Sequence, residues 1–285
     1  MRRIVLALAA LALGSTALTA CGGGDGGGSD NLVDKAKNDK KLTVGVKIDQ
    51  PGVGVKKPDG TMEGFDVDVA RYVAGKLGVP ESGITWKETI SANREPFIQQ
   101  GQVDFVVATY SILPERKEKV TFAGPYIVAH QDIMVRSDES SVTKVEDLKD
   151  KRICQASGSN SYKRITDPAP NGQGIKAKLV PAGSYSECVA KLKGGTLDAV
   201  TTDDLILAGF GAQSPSDYKI LGTPFTDEKY GVGLKKGDTA GCEAVNGAIT
   251  EMYKDGTAAQ LLKKWFGQTA GLQLPTEAPA FEGCA

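Results

Sequence analysis

The residues Ala108-Thr109-Tyr110-Ser111-Ile112-Leu113-Pro114-Glu115-Arg116 carry the chemistry around which the rest of the chain is read. A strand-like run over 103–108 ends in small and hydroxyl side chains, and an arginine follows beside a proline-initiated turn. A guanidinium presents a rigid fork of donors to a carboxylate, and the strand-end oxygens stay available as acceptors for an ammonium. Those are the two charged ends of a free amino acid. The competing reading leaves Arg116 as a solvated residue at a helix start, in a charged run with Lys117, Glu118 and Lys119. A buried ammonium also needs an anion. Asp203, at the end of the strand-like run 197–202, is a candidate, with Asp204 as its fallback and helix capping as the competing role.

This arrangement resembles the amino-acid-binding proteins of ABC importers, the polar amino acid branch of the extracellular solute-binding proteins. The resemblance covers nearly the whole chain after the first 30 residues. It implies that Arg116 holds a ligand α-carboxylate, that the Thr109 carbonyl and the Ser111 hydroxyl hold its ammonium, and that Asp203 pairs with that ammonium. Amides of the turn Ser159-Asn160, at a helix N-terminus, would assist with the carboxylate. In members that bind acidic amino acids, a segment similar to Ser91-Ala92-Asn93-Arg94 helps to hold the distal carboxylate. Lys47 falls where glutamine-binding relatives carry an aspartate. The run 49–55 is similar to that of actinobacterial glutamate-binding lipoproteins and lacks the aromatic lid of other relatives, so Gln50 is a candidate cover. The implied ligand is L-glutamate or aspartate, with glutamine or another polar amino acid as the alternative. Lys47, Arg94 and Arg116, set against Asp203 and the charges of glutamate, total four positive and three negative charges, whereas glutamine would leave more positive charge unpaired.

Composition fits that reading. A chain of 285 residues, 40% hydrophobic, is long enough for one large or two modest domains. The net charge is -1 with no basic block, which gives no electrostatic footprint for nucleic acid. His130 is the only histidine and there is no CxxC, so neither a metal site nor a cofactor is expected, and a nucleophile–histidine pair has no second member to name.

Residues 1–20 pair Arg2-Arg3 with an apolar run over 4–13 and small residues, the pattern of an export signal. Leu18-Thr19-Ala20-Cys21 also looks like a bacterial lipobox, which implies lipid on Cys21 and an anchor at the outer face of the cell membrane. Residues 21–30 are glycine-rich and read as a tether. The four remaining cysteines allow three pairings. Cys154 with Cys188 and Cys242 with Cys284 is chosen because each bridge then stays inside one expected lobe.

The elements that must position these residues alternate between strand and helix. Strands are expected over 41–46, 84–89 and 103–108, with helices over 64–77 and 94–100, giving an α/β lobe with a largely parallel sheet. A crossing strand over 127–135 leads to a second lobe with strands at 152–156, 177–180 and 197–202, and a return crossing spans 222–234. Helices at 239–253 and 257–266 pack back on the first lobe. Boxes at Thr143–Glu146, Ser184–Glu187 and Thr257–Gln260 are expected to open helices. The expectation is therefore a two-lobed, type II periplasmic-binding-protein-like α/β fold with two crossing hinge segments. Lobe one comprises 31–130 and 226–285, and lobe two comprises 131–225. The ligand lies in the cleft between them. The chain is read as a monomer that closes on its ligand and delivers it to an ABC permease, without turnover. Two other readings share the fold: a periplasmic dehydratase-like enzyme, which would need a catalytic carboxylate at an apolar ring pocket, and a sensor that reports to a membrane receptor.

Overall fold

The computed structural model describes residues 31–269, 271–272 and 274–284. The expected export signal, Cys21 and the expected tether lie outside the described residues. In chain order the first part comprises α1 (Leu32–Asp39), β1 (Leu42–Val46), β2 (Asp49–Gln50), β3 (Gly54–Lys56), β4 (Met62–Glu63), α2 (Phe65–Lys76), β5 (Ile84–Glu88), α3 (Arg94–Gln99), β6 (Phe105–Val107) and α4 (Pro114–Lys117). A 16-residue strand, β7 (Thr121–Arg136), leads to β8 (Arg152–Ala156), α5 (Lys163–Thr166), β9 (Lys178–Ala182), α6 (Tyr185–Lys193), β10 (Val200–Asp203), α7 (Asp204–Gln213) and β11 (Tyr218–Ile220). The chain returns through β12 (Asp227–Leu234) and ends in α8 (Thr239–Lys254) and α9 (Thr257–Phe266).

One seven-stranded sheet runs through both halves in the order β10-β7-β12-β6-β1-β5, with β11 paired to β7. The expected parallel sheet holds for β5, β1 and β6, but β12 enters antiparallel between β6 and β7. The reason is that β12 runs back alongside β7 from the second half, opposite in direction to β7 and to β6. Pairing of β7 also begins six residues before the expected 127. Pro125 reads as a strand breaker, yet the β7–β12 register shifts between Tyr230 and Val232, and this irregularity accommodates it.

Alternation along the strands divides the cores. Phe105 and Val107 face α2, α8 and α9, whereas Val106 and Ala108 face Ile98, Tyr110 and Phe122. Farther along β7, Met134 joins a cluster with Cys188, Leu192 and Leu207, while Ile133 and Val135 join Leu148, Ile153 and Ile165. Helix faces obey their own period: α9 buries Ala258, Leu262 and Phe266 at four-residue spacing.

Only one of the three expected boxes, Ser184–Glu187, caps its helix through its first side chain, and there the Glu187 carboxylate accepts from the Gly183 N–H rather than from the Ser184 N–H. Ser184 caps α6 by accepting from the Glu187 N–H. At Thr143 the carboxylate that returns is Asp147, not Glu146, accepting from the Thr143 N–H and hydroxyl. Before α9 the cap is Gly256, with no side-chain cap bond, and the Thr257 N–H donates to Asp255.

Both expected disulfides are present, Cys154–Cys188 and Cys242–Cys284, with separations of 34 and 42 residues. The second ties the tail to α8, and Glu282 on the same tail pairs with Lys117 and Lys229. Closing loops of this size stabilises the native chain by about 2–4 kcal/mol each in the entropic account. Cys242→Ser/Cys284→Ser is therefore expected to melt several degrees lower; an unchanged thermal midpoint would count against a structural role for this bridge.

Candidate ligand-binding site

Eight residues expected at the site, Ser91, Arg94, Thr109, Ser111, Arg116, Ser159, Asn160 and Asp203, line one pocket where the two halves meet. Lys47 and Gln50 are not on its wall. Lys47 is buried and donates to Ser91 Oγ at 2.8 Å, one residue back from the cavity, and burial pushes its pKa well below the usual lysine range. Gln50 is buried behind Thr109, whose hydroxyl lies 3.4 Å from Gln50 Oε1.

The β6 end is held in an unusual shape. Thr109 has φ 46°, the left-handed region, and its N–H donates to the buried carboxylate of Asp66 at 2.7 Å. That bond, together with one from the Tyr126 hydroxyl, offsets part of the cost of holding an L-residue there. The turned backbone aims the Ala108 and Thr109 carbonyls at Arg94, which donates to them at 3.2 and 2.9 Å. The Thr109 carbonyl, expected to accept from a ligand ammonium, thus already accepts from Arg94.

Arg94 is 2% exposed, and four of its five N–H groups are used on the carbonyls of Ser91, Ala108, Thr109 and Gly158. Arg116 donates to the Ser111 carbonyl at 2.9 Å and to Gly158 O at 3.4 Å, and its Nε lies 3.5 Å from Glu95. Two guanidiniums therefore converge on one carbonyl oxygen across the cavity. Burial first, and the nearby Arg116 charge second, lower the Arg94 pKa to about 10.

Asp203 sits opposite. Its side chain does not cap α7; it accepts from the Tyr230 hydroxyl. Desolvation, then the neighbouring Glu228 carboxylate, push its pKa up to about 8. Asp204 turns away, accepting from the His130 and Leu205 N–H groups, and the His130 ring lies between Asp204 and Asp227.

Among the residues not anticipated are Ser161, Tyr185, Thr202 and Glu228. Tyr185 reaches from the first turn of α6 to Ser159 Oγ at 2.6 Å and Ser161 Oγ at 2.8 Å, and Thr202 lies 3.2 Å from Ser161 Oγ. Glu228 is 2% exposed and pairs with Arg164 at 2.6 Å. The Ser159-Asn160 turn is less open to an anion than expected. The Ser159 N–H donates to Ala156 O, the Ser161 N–H donates to Ser159 Oγ, and the helix beyond is only one turn long. Charge balance also changes. Lys47, Arg94, Arg116 and Arg164 stand against Asp66, Glu95, Asp203 and Glu228, so a count of charges no longer selects an acidic ligand by itself.

Residues 42–268 match the profile of the bacterial extracellular solute-binding proteins, family 3. The chain belongs to that family. This family-3 protein is 42% identical over 276 residues to the glutamate-binding protein GluB of Corynebacterium glutamicum, covering 93% of this chain and 91% of the relative. It is 36% identical over 256 residues to the ABC transporter glutamine-binding protein GlnH of Bacillus subtilis, covering 87% and 91%. Among solved structures, an ancestral arginine-binding protein bound to arginine matches with a TM-score of 0.72 and 35% identity, covering 80% of this chain and 99% of that one. The architecture of this family-3 protein is accordingly the two-lobed type II periplasmic-binding fold, with β7 and β12 as the crossing strands. Among its described residues no helix is long and apolar enough to cross a membrane.

Proposed function

We propose that this protein binds L-glutamate, with aspartate as the alternative, between a lobe formed by 31–130 and 226–285 and a lobe formed by 131–225. It then hands the ligand to an ABC permease, as a monomer and without turnover. The observation that carries the reading is the convergence of Arg94 and Arg116 on the single Gly158 oxygen. Two forks sharing one neutral acceptor have donors to give to two carboxylates. Arg116 takes the α-carboxylate, Ser111 and Asp203 take the ammonium, and the Arg94 Nη2 with Ser91 takes the distal carboxylate. Lys47 acts through Ser91 rather than on the ligand. The names of the GluB relatives support glutamate over glutamine. Export by residues 1–20 and a lipid on Cys21 complete the reading.

Charge-assisted hydrogen bonds of this number make a dissociation constant of about 1 μM or below reasonable. Calorimetric titration of the chain from residue 31 onward, first with L-glutamate and then with L-glutamine, tests it. Glutamate is expected to bind at least about tenfold more tightly, a difference of about 1.4 kcal/mol. A reversed order would relocate the side-chain pocket. Silence towards every amino acid would return the enzyme and sensor readings, and turnover of a cyclic carboxylate in the same cell would favour the first of them.

The binding is expected to depend on pH through Asp203. Its raised pKa means that the ligand-free protein holds a proton there below about pH 8, while an ammonium favours the carboxylate form. Binding then releases a proton, and affinity rises by up to about tenfold per pH unit on approaching pH 8 and levels off above it. Titrations in buffers of different ionisation enthalpy would reveal the released proton; a flat profile between pH 6 and 8 would remove Asp203 from the ammonium. By the same linkage, the ligand-free fold carries more protons at this group than the unfolded chain between the ordinary carboxylate value and about 8, so this group makes its stability decline with rising pH across that window.

A further inference from the structure

Tyr110 is fully buried beneath the two arginines. The Arg94 guanidinium carbon lies 4.3 Å from its ring centroid and that of Arg116 lies 5.3 Å away. The ring itself has little freedom. Phe122 packs edge-on at 4.6 Å, and a Cβ added at Gly233 would come within 2.7 Å of the ring edge, so β12 lies flat against it. The two cations differ in their compensation. Arg116 has Glu95 beside it, whereas Arg94 has no carboxylate partner among the ion pairs of the described residues and leans on neutral carbonyls and the ring face. An aromatic face carries negative quadrupole density and attracts a desolvated guanidinium.

We propose that Tyr110 is a specificity-determining positioning residue: its ring holds Arg94 charged and beside Arg116, so that the cavity favours a ligand with two carboxylates over one with a carboxylate and a neutral amide. The proposal rests on the glutamate reading above and adds the residue that makes the second arginine available. Without the ring, Arg94 is a buried cation beside another cation, and it leaves the position from which it can meet a distal carboxylate. The α-carboxylate handle, supported separately by Ser111 and Glu95, is affected less.

The test is calorimetric titration with L-glutamate and L-glutamine of Tyr110→Leu, Tyr110→Phe, Arg94→Met and the double variant Arg94→Met/Tyr110→Leu. Tyr110→Leu is expected to weaken glutamate by about tenfold and glutamine by much less, and Tyr110→Phe, which keeps the ring, restores the preference. In the Arg94→Met background, removal of the ring is expected to cost glutamate nothing further. Equal losses for both ligands, or the same loss with and without Arg94, overturn the proposal and leave Tyr110 as packing. If the unaltered protein shows no preference for glutamate, the ligand reading fails. Unfolding of the ligand-free variants then decides the Tyr110–Arg94 unit, since additive melting shifts would overturn it and non-additive shifts would uphold it.

Discussion

Arg116→Met is expected to abolish detectable amino-acid binding while leaving a folded protein. Two charge-assisted bonds to an α-carboxylate, at about 1.5–3 kcal/mol each, correspond to a loss of about two to four orders of magnitude in affinity. The loss should fall alike on glutamate, aspartate and glutamine, because every amino acid presents the same group to this fork. Arg116→Lys keeps the charge but not the planar pair of donors, and it is expected to recover only a small part. Some destabilisation follows as well, because Arg116 also anchors the Ser111 carbonyl and Glu95. Titration and thermal melting on the same preparations separate the two effects. Retained micromolar binding in the methionine variant would move the carboxylate to Arg94.

Gly158→Ala is expected to weaken binding of every ligand by about tenfold to a hundredfold, with a much smaller effect on the ligand-free protein. Gly158 has φ +70°, and a Cβ there would lie 2.4 Å from the Cα and N of Ala92. Backbone cannot yield as a flexible side chain does, and an overpacked contact costs about 1–3 kcal/mol. The left-handed conformation adds a penalty that both open and closed forms share. The clash arises only when the turn after β8 meets the segment before α3, so it falls on the closed form. A second contact of this kind stands elsewhere on the interface, where a Cβ at Gly209 would overlap Pro51 O at 1.7 Å. Small-angle scattering with and without L-glutamate would detect a variant that stays open. Unchanged affinity in Gly158→Ala would mean that the lobes bind ligand without meeting here.

The sequence made some of this visible and hid the rest for physical reasons. Short strands such as β1 and β8 and the amphipathic α9 announce themselves through local periodicity, and the one rule of keeping each bridge within a lobe selected the observed cysteine pairs. Arg116 and Asp203 were singled out because strand ends and turns are where an α/β fold presents polar groups, whereas Ser91 entered only through the family resemblance; all three line the pocket. Glu228 was missed because Thr226-Asp227-Glu228-Lys229 reads as a solvated charged run, yet strand alternation buries Glu228 beside Tyr230 and leaves Asp227 and Lys229 outside. Tyr185 was missed because its place in a helix cap suggested only capping, although its hydroxyl organises Ser159 and Ser161. Lys47 illustrates the converse. Its position after β1 was right, but whether a long side chain ends at a ligand or at Ser91 depends on how the neighbouring segment folds back over it, a non-local matter.

The strand β7 runs without interruption from the first core to the second, hydrogen-bonded to β12 for much of that length. A ribbon of two paired strands bends like a leaf spring, its curvature shared among many peptide units, rather than swivelling at one joint. Elastic energy then accumulates gradually with opening angle, and no single residue in the ribbon sets its stiffness. Substitutions that loosen individual β7–β12 hydrogen bonds should therefore each soften the spring a little, broadening the range of opening angles while the cavity's chemistry stays as it is.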